Sequence, residues 1–165
     1  MTTPPRERFP SVGRETAPEA SRPLVDATTG AYGFLPSLHA AMAVAPALYE
    51  AYLATSRLFE GATTLSPLEQ QVVLMTASYE NDCGYCVPGH SCVMKGCGMP
   101  DDVVEALREG TPIGDGRLEA LRTLAGRVGE GRGHLGPEEV RAFLDAGYTH
   151  RQALEVLVGL AAKML

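Results

Sequence analysis

The sequence feature that most constrains the fold is segment 66–69, Ser-Pro-Leu-Glu, which combines three signals for the start of a helix. A capping serine, a proline at the first helical position and a glutamate at the third together make a capping box. Apolar residues then recur at helical spacing, at Leu68, Val72, Met75 and Tyr79. We therefore predict a helix from Pro67 to about Glu80 that turns one apolar stripe toward the core.

Similar signals predict helices along most of the remaining chain. Pro36 and Pro46 suit the first turns of two helices between residues 35 and 59. Further helices are expected at 100–110, 116–128 and 137–145, and a last one follows a capping box of Thr149 and Gln152. That last helix carries apolar residues on one side, at Leu154, Leu157, Val158 and Ala161. Few segments alternate with period two, so we predict an all-α, single-domain helical bundle.

The chain is expected to divide into an arm and one helical domain. Residues 1–23 contain five prolines among polar residues and show no apolar periodicity, which predicts a flexible or extended arm. Residues 24–165 then form the domain, because no period typical of a solenoid is present. The helical pattern is still running at Leu165, so we expect the natural chain to continue.

Composition and charge exclude several classes of function. The net charge of -6, with only 14 scattered Lys and Arg, argues against nucleic-acid binding. No basic leader with an apolar stretch and no apolar run of about 18 residues is present, so we expect a cytoplasmic protein that does not enter a membrane. All four cysteines fall within residues 83–97. In a reducing compartment such clustering indicates redox or metal chemistry.

Cys83 and Cys86 form a Cys-x-x-Cys pair, which a single tight turn can bring to disulfide distance. Pro88 restricts where the next helix begins, because proline is tolerated only in the first turn. Cys86 is therefore expected in or just before that turn, where free N–H groups and the helix dipole favour the thiolate. We predict that the pKa of Cys86 lies below the free value of ~8.5.

His90 and Glu80 are the candidates for proton transfer to this pair. His90 lies four residues beyond Cys86, so the two share one helix face, and an imidazole can take the thiol proton and later return it. Glu80 precedes the first cysteine by three residues and could orient or reprotonate His90. Glu69 and Asp82 rank lower, because a capping box accounts for the first and a loop or N-cap role for the second.

The other two cysteines have simpler explanations. Cys92 is turned away from the face of Cys86 and His90 and is predicted to be a small buried hydrophobe. Cys97 lies between two glycines at the predicted helix end, out of easy reach of the pair. A structural zinc site could use Cys83, Cys86, His90 and one of these. All the candidates crowd onto one turn and one helix, however, rather than forming two separate ligand knuckles, so we expect no metal.

In this context the sequence resembles the alkyl hydroperoxidase D-like branch of the carboxymuconolactone decarboxylase family. The resemblance is carried by the motif Cys-x-x-Cys-x-x-x-His after a helix, in segments 65–69 and 80–91. It extends through Tyr-Gly-Phe-Leu-Pro-Ser-Leu-His at 32–39 and Ala-Gly-Tyr at 146–148, and covers nearly all of the chain beyond the arm. It implies an all-α fold that assembles as a homo-oligomer, often a trimer or hexamer.

For function, the resemblance implies a thiol-dependent peroxidase of antioxidant defence. Cys86 would attack the hydroperoxide, Cys83 would resolve the product as a disulfide, and His90 would belong to the proton relay. Electrons would come from an external thiol or lipoyl reductant, without a bound cofactor. The family's relay glutamate, twelve residues before the first cysteine, is replaced here by Gln71. Glutamine cannot carry a proton, so the relay is either rerouted, through Glu80, or weakened.

Two other functions stay open at this point. The same redox pair could exchange with a protein or small-molecule disulfide, or the chain could be a metal-bound or interaction domain without catalysis. Decarboxylase activity is not expected, because the resemblance implies that true decarboxylases of the family lack the cysteine pair.

Overall fold

A computed structural model describes residues 9–165, and within that range every regular element is helical. A short 3-10 helix, Glu19–Ser21, comes first. The α-helices that follow are α1 Arg22–Tyr32, α2 Ser37–Met42, α3 Pro46–Ala62, α4 Pro67–Glu80, α5 Cys86–Gly96, α6 Asp101–Glu109, α7 Gly116–Glu130, α8 Pro137–Asp145 and α9 His150–Met164. The all-α prediction is confirmed. None of these helices has the length and apolar content needed to cross a membrane.

The helices group into two compact units, whose boundary falls within α3 between Ala54 and Thr55. Residues 1–8 of the predicted arm lie outside the described residues. Further along, Ala17 is buried in the core of the first unit, and Pro23 lies in the first turn of α1. The sequence pattern does not predict α1, because threonines and a glycine interrupt its apolar residues. The division between arm and domain at residue 23 stays a prediction.

α4 is the central helix of the second unit. It begins and ends as predicted, and the capping box is confirmed: the Ser66 N–H donates to Glu69 Oε2 at 2.8 Å, and the Glu69 N–H donates to Ser66 Oγ at 3.3 Å. The predicted single apolar stripe accounts for only part of the buried surface of α4, because all ten residues from Glu69 to Ser78 are buried. The neighbours α5, α6, α7 and α9 pack around α4 and leave it almost no outer face.

The buried polar side chains of α4 form ion pairs or hydrogen bonds within the second unit. The Glu69 carboxylate pairs with Arg117 of α7 at 3.0 Å. Burial would raise the pKa of Glu69, but hydrogen bonds from Ser66 and Arg117 outweigh it and lower the pKa overall. The amide of Gln70 donates to backbone carbonyls at the end of α3 and in the loop after it. The hydroxyls of Thr76 and Ser78 donate to carbonyls one turn earlier.

The last helix is confirmed, but its predicted apolar side faces outward. The Thr149 N–H donates to the Gln152 side chain at 3.0 Å, and the Gln152 N–H donates to Thr149 Oγ1 at 3.2 Å, as the capping box requires. Most of the side named from the sequence is exposed, at Leu154, Leu157 and Ala161. The buried side consists of Gln152, Val156, Gly159 and Ala162. Gly159 accounts for this orientation of α9, because a residue without a side chain leaves space for the ring of Phe59.

Gly159→Ala is expected to destabilise the protein. An added Cβ would lie 2.6 to 2.9 Å from ring atoms of Phe59, which is 1% exposed and packed in the core of the second unit. Overpacking costs ~1–3 kcal/mol, more than the ~1 kcal/mol that alanine gains over glycine in a helix. Gly126→Ala in α7 is the matched control, because its nearest neighbours would lie 3.9 Å away, and it should stabilise. Urea unfolding measures both, and a Gly159→Ala protein as stable as the parent would contradict the close packing.

Candidate active site

The cysteine pair lies where the chain turns from α4 into α5. α4 ends at Glu80, and Asp82 adopts the left-handed conformation, with φ of 48°. This region is sparsely populated, and aspartate is among the residues that enter it most often. The backbone N–H of Cys83 then donates to the Ser78 carbonyl at 3.0 Å. The first cysteine is thereby tied to the end of the buried helix.

α5 begins at Cys86, in agreement with the prediction that this residue lies in or just before the first turn. A disulfide joins Cys86 to Cys83, with the Cα atoms 5.3 Å apart. The carbonyl of Cys83 accepts from the N–H groups of Cys86 at 3.0 Å and Val87 at 3.1 Å, so the motif closes as the first turn of the helix. The Cys86 N–H also lies 3.2 Å from Cys83 Sγ. The first amide of α5 therefore reaches the sulfur of Cys83, and the low pKa of Cys86 stays a prediction.

A cavity of about 510 Å³ opens beside the pair, and Cys83 is the cysteine that lines it. Its walls mix apolar and charged side chains, among them Tyr79, Glu80, Asp82, Val87, Pro88 and Arg108. The Arg108 guanidinium is held by a hydrogen bond to the Ser91 hydroxyl at 2.9 Å. A cavity of this volume can admit a small-molecule thiol or disulfide. Of the two cysteines of the pair, Cys83 lies on its wall.

His90 lies one turn after Cys86 on α5, and both of its ring nitrogens have partners on other helices. Nδ1 is 3.0 Å from Oε1 of Gln71 on α4, and Nε2 is 3.1 Å from Nζ of Lys163 on α9. An amide oxygen only accepts and an ammonium only donates. The proton of the neutral ring is therefore on Nδ1, and Nε2 accepts from Lys163.

The charges of this cluster follow from burial. Burial lowers the pKa of His90 to about 4, with a second contribution from the positive charge of Lys163. Burial also lowers the pKa of Lys163 to about 8. At pH 7 the histidine is therefore neutral, and the positive charge lies on the lysine.

Two solved structures are similar to the chain over almost its whole length. One is the crystal structure of an alkylhydroperoxidase AhpD core, an uncharacterized peroxidase-related protein from Ralstonia eutropha, with a TM-score of 0.83 and 19% identity, covering 98% of this chain and 87% of that one. The other is an uncharacterized peroxidase-related protein from a Silicibacter species, with a TM-score of 0.78 and 18% identity, covering 99% and 88%. The chain has the AhpD-like fold. No protein-family model and no curated protein sequence matches it.

Glu80 and Asp82 lie beside Cys83 in the AhpD-like fold, on the wall of the cavity. Glu80 is exposed, and its charge helps to raise the pKa of Arg122 on α7, which a hydrogen bond to Glu119 raises most. The ring nitrogens of His90 contact Gln71 and Lys163. The predicted role of Glu80 in orienting His90 stays a prediction. The ranking of Glu69 as a capping residue agrees with the structure.

Cys92 and Cys97 are free and exposed. The prediction that Cys92 is buried is wrong, because α5 turns Ser91 and Met94 toward the core and leaves Cys92 on its outer face. Cys97 follows the last residue of the helix, as predicted. In the part of the chain that the structure describes, no group of three or more His, Cys, Asp or Glu side chains is arranged to hold a metal ion.

Lys163 is the site residue that sequence reasoning missed. It lies 73 residues from His90 along the chain, so no local motif joins them. A signal was nevertheless present, because Gln152, Val156, Gly159 and Lys163 recur at helical spacing. This register is the inner side of α9, and a lysine on it faces the interior.

The buried neutral His90 should make the protein lose stability in mild acid. An unfolded histidine binds a proton near pH ~6.5, whereas folded His90 binds one only near about 4. The unfolded chain therefore holds more protons in this window, and the free energy of unfolding should fall as the pH drops through it. Urea unfolding of the parent and of His90→Gln measures this term, and the variant should lose less stability. His134→Gln, at an exposed histidine, is the control, and equal losses in parent and His90→Gln would contradict the assignment.

Proposed function

We propose that the protein is a thiol-dependent peroxidase that reduces hydroperoxides with the Cys83–Cys86 pair. The observation that carries this proposal is the bonded pair at the start of α5, with Cys83 on the wall of a cavity of about 510 Å³. The similarity of the fold to two proteins described as peroxidase-related supports it. The wider role would be antioxidant defence in a reducing cytoplasm, where a disulfide can be returned to two thiols.

In the first step the thiolate of Cys86 attacks the outer oxygen of the hydroperoxide. A sulfur–oxygen bond forms, the oxygen–oxygen bond breaks, and the leaving alkoxide takes up one proton to become an alcohol. Cys86 is then a sulfenic acid. The thiol of Cys83 attacks this sulfur, water leaves, and the disulfide is the product.

In the second step an external dithiol or two monothiols reduce the disulfide, and no bound cofactor is required. The sulfur of Cys83 lines the cavity, so we assign the attack of the reductant to this atom. A mixed disulfide forms at Cys83 and Cys86 leaves as a thiolate. A second thiol then attacks the mixed disulfide, which releases Cys83 and oxidises the reductant. A lipoyl group fits this requirement because it carries both thiols.

His90 would belong to the relay that moves the protons of these steps. Its neutral ring is one turn from Cys86 and is held by Gln71 at the position of the family's relay glutamate. A glutamine cannot exchange a proton, so in this proposal it orients the ring and does not titrate. Glu80, beside Cys83 on the cavity wall, would exchange protons with solvent at the resolving cysteine.

The second candidate is a thiol–disulfide oxidoreductase that acts on a protein or small-molecule disulfide. It is favoured by the amide of Cys86, which lies 3.2 Å from Cys83 Sγ and would stabilise a thiolate at the cysteine that meets the cavity. In that case Cys83 would attack the substrate disulfide, and Cys86 would release the product by forming the internal disulfide.

We also propose that the protein is a homo-oligomer, in line with the family resemblance. α9 presents exposed apolar side chains at Leu154, Leu157 and Met164, which recur at helical spacing on the side away from the core. Such a stripe is typical of a helix that packs against a partner. Sedimentation of the purified chain would measure the assembly.

Single-turnover kinetics should separate the roles of the two cysteines. Prereduced Cys83→Ser is expected to consume one equivalent of hydroperoxide in a fast burst and to stop at a sulfenic acid on Cys86. Cys86→Ser should show no burst, because the attacking sulfur is absent. Steady-state turnover should be lost in both variants, since neither can form the disulfide.

Cys92→Ser is the matched control, at an exposed cysteine of the same helix, and it should behave like the parent. A burst that is lost in Cys83→Ser and kept in Cys86→Ser would reverse the assigned roles. A parent protein that exchanges rapidly with a small disulfide but shows no burst with hydroperoxides would favour the second candidate.

A further inference from the structure

We propose that Lys163 is the positioning residue of this site: its ammonium, by donating to Nε2 of His90, fixes the imidazole in a single tautomer. The contact itself is independent of the proposed function. Its catalytic consequence rests on that function, because only a redox cycle at Cys83 and Cys86 would use the ring.

Three helices meet at the imidazole. α4 supplies the Gln71 oxygen at 3.0 Å from Nδ1, α5 supplies the ring, and α9 supplies the Lys163 nitrogen at 3.1 Å from Nε2. Lys163 lies on the inner register of α9 and is only partly exposed. Each helix therefore contributes one member of a hydrogen-bonded chain.

Lys163 is needed to select the tautomer of His90 because Gln71 cannot select it. A glutamine side chain can turn either its oxygen or its NH₂ group toward a neighbour, so alone it can satisfy both tautomers of a histidine. A glutamate has no donor in its charged form and would select the Nδ1–H ring unaided. With Gln71 in that place, only the group at Nε2 can select the tautomer, and an ammonium accepts nothing. Lys163 thus restores a selection that the glutamine does not make.

The electrostatics of Lys163 are also unusual for a lysine with a structural role. Burial lowers its pKa to about 8, so the fold disfavours the charge that the hydrogen bond needs. Within residues 9–165 its ammonium forms no ion pair with a carboxylate. Partly buried charges without a counter-ion are costly and cluster at functional sites. The imidazole of His90 is the partner that the structure gives it.

The experiment combines ring spectroscopy with kinetics in three variants of the full chain. Lys163→Met removes the donor at similar volume, and Lys163→Arg keeps a charged donor. The chain has one other lysine, Lys95, which is exposed and paired with Asp101, so Lys95→Met is the matched control. ¹⁵N NMR of the His90 ring at pH 7 reports which nitrogen carries the proton, and thermal unfolding shows that each variant is folded.

The parent, Lys163→Arg and Lys95→Met should each show one tautomer, with the proton on Nδ1. Lys163→Met should show a second tautomer and lose about tenfold or more in hydroperoxide turnover, approaching the ~10²–10⁴-fold loss expected for His90→Ala. A Lys163→Met ring spectrum equal to that of the parent would overturn the positioning role, and so would unchanged turnover beside a changed spectrum. A parent inactive toward both hydroperoxide and disulfide would instead refute the proposed function, and the ring spectra would still decide the contact.

Discussion

The second unit depends on the burial of α4 on nearly all sides. A helix surrounded by four others cannot send polar side chains to water, and an unpaired polar group in such a place costs several kcal/mol. The polar residues of α4 are therefore tied to particular partners: Glu69 to Arg117, Gln70 to the chain before the helix and Gln71 to His90. These contacts link α4 to α7 and α5, and the hydrogen bond from the Cys83 N–H to the Ser78 carbonyl holds the cysteine pair at the end of α4.

Burial and the charge of Lys163 determine the electrostatics of the candidate site. Gln71 is neutral and cannot lend charge to His90, and burial keeps the imidazole neutral at pH 7. The positive charge is instead on Lys163, across the ring from the amide. Gln71, His90 and Lys163 thus form a chain of two hydrogen bonds, with the positive charge at the Lys163 end. The sulfur of Cys83, by contrast, meets the open cavity.

Local signals in the sequence predicted the α-helices after α1, because capping and helix exit are decided within a few residues. The start of α4 at Pro67, the start of α5 at Cys86 and the exit at Gly110, with φ of 68°, are of this kind. Which face is buried depends on packing with distant segments instead. The outward side of α9 and the contact of Lys163 with His90 were not predictable from spacing alone, since each is set by helices far away in the chain. The exposure of Cys92 depends on how α5 packs against α4 and α6.

The most direct test of the central claim is to oxidise the fully reduced protein with less than one equivalent of a hydroperoxide and to locate the product by mass spectrometry. The account predicts a single disulfide between Cys83 and Cys86, formed in step with peroxide loss, while Cys92 and Cys97 stay reduced. Peroxide loss with Cys83 and Cys86 still reduced, or oxidation found first at the two exposed cysteines, would contradict it.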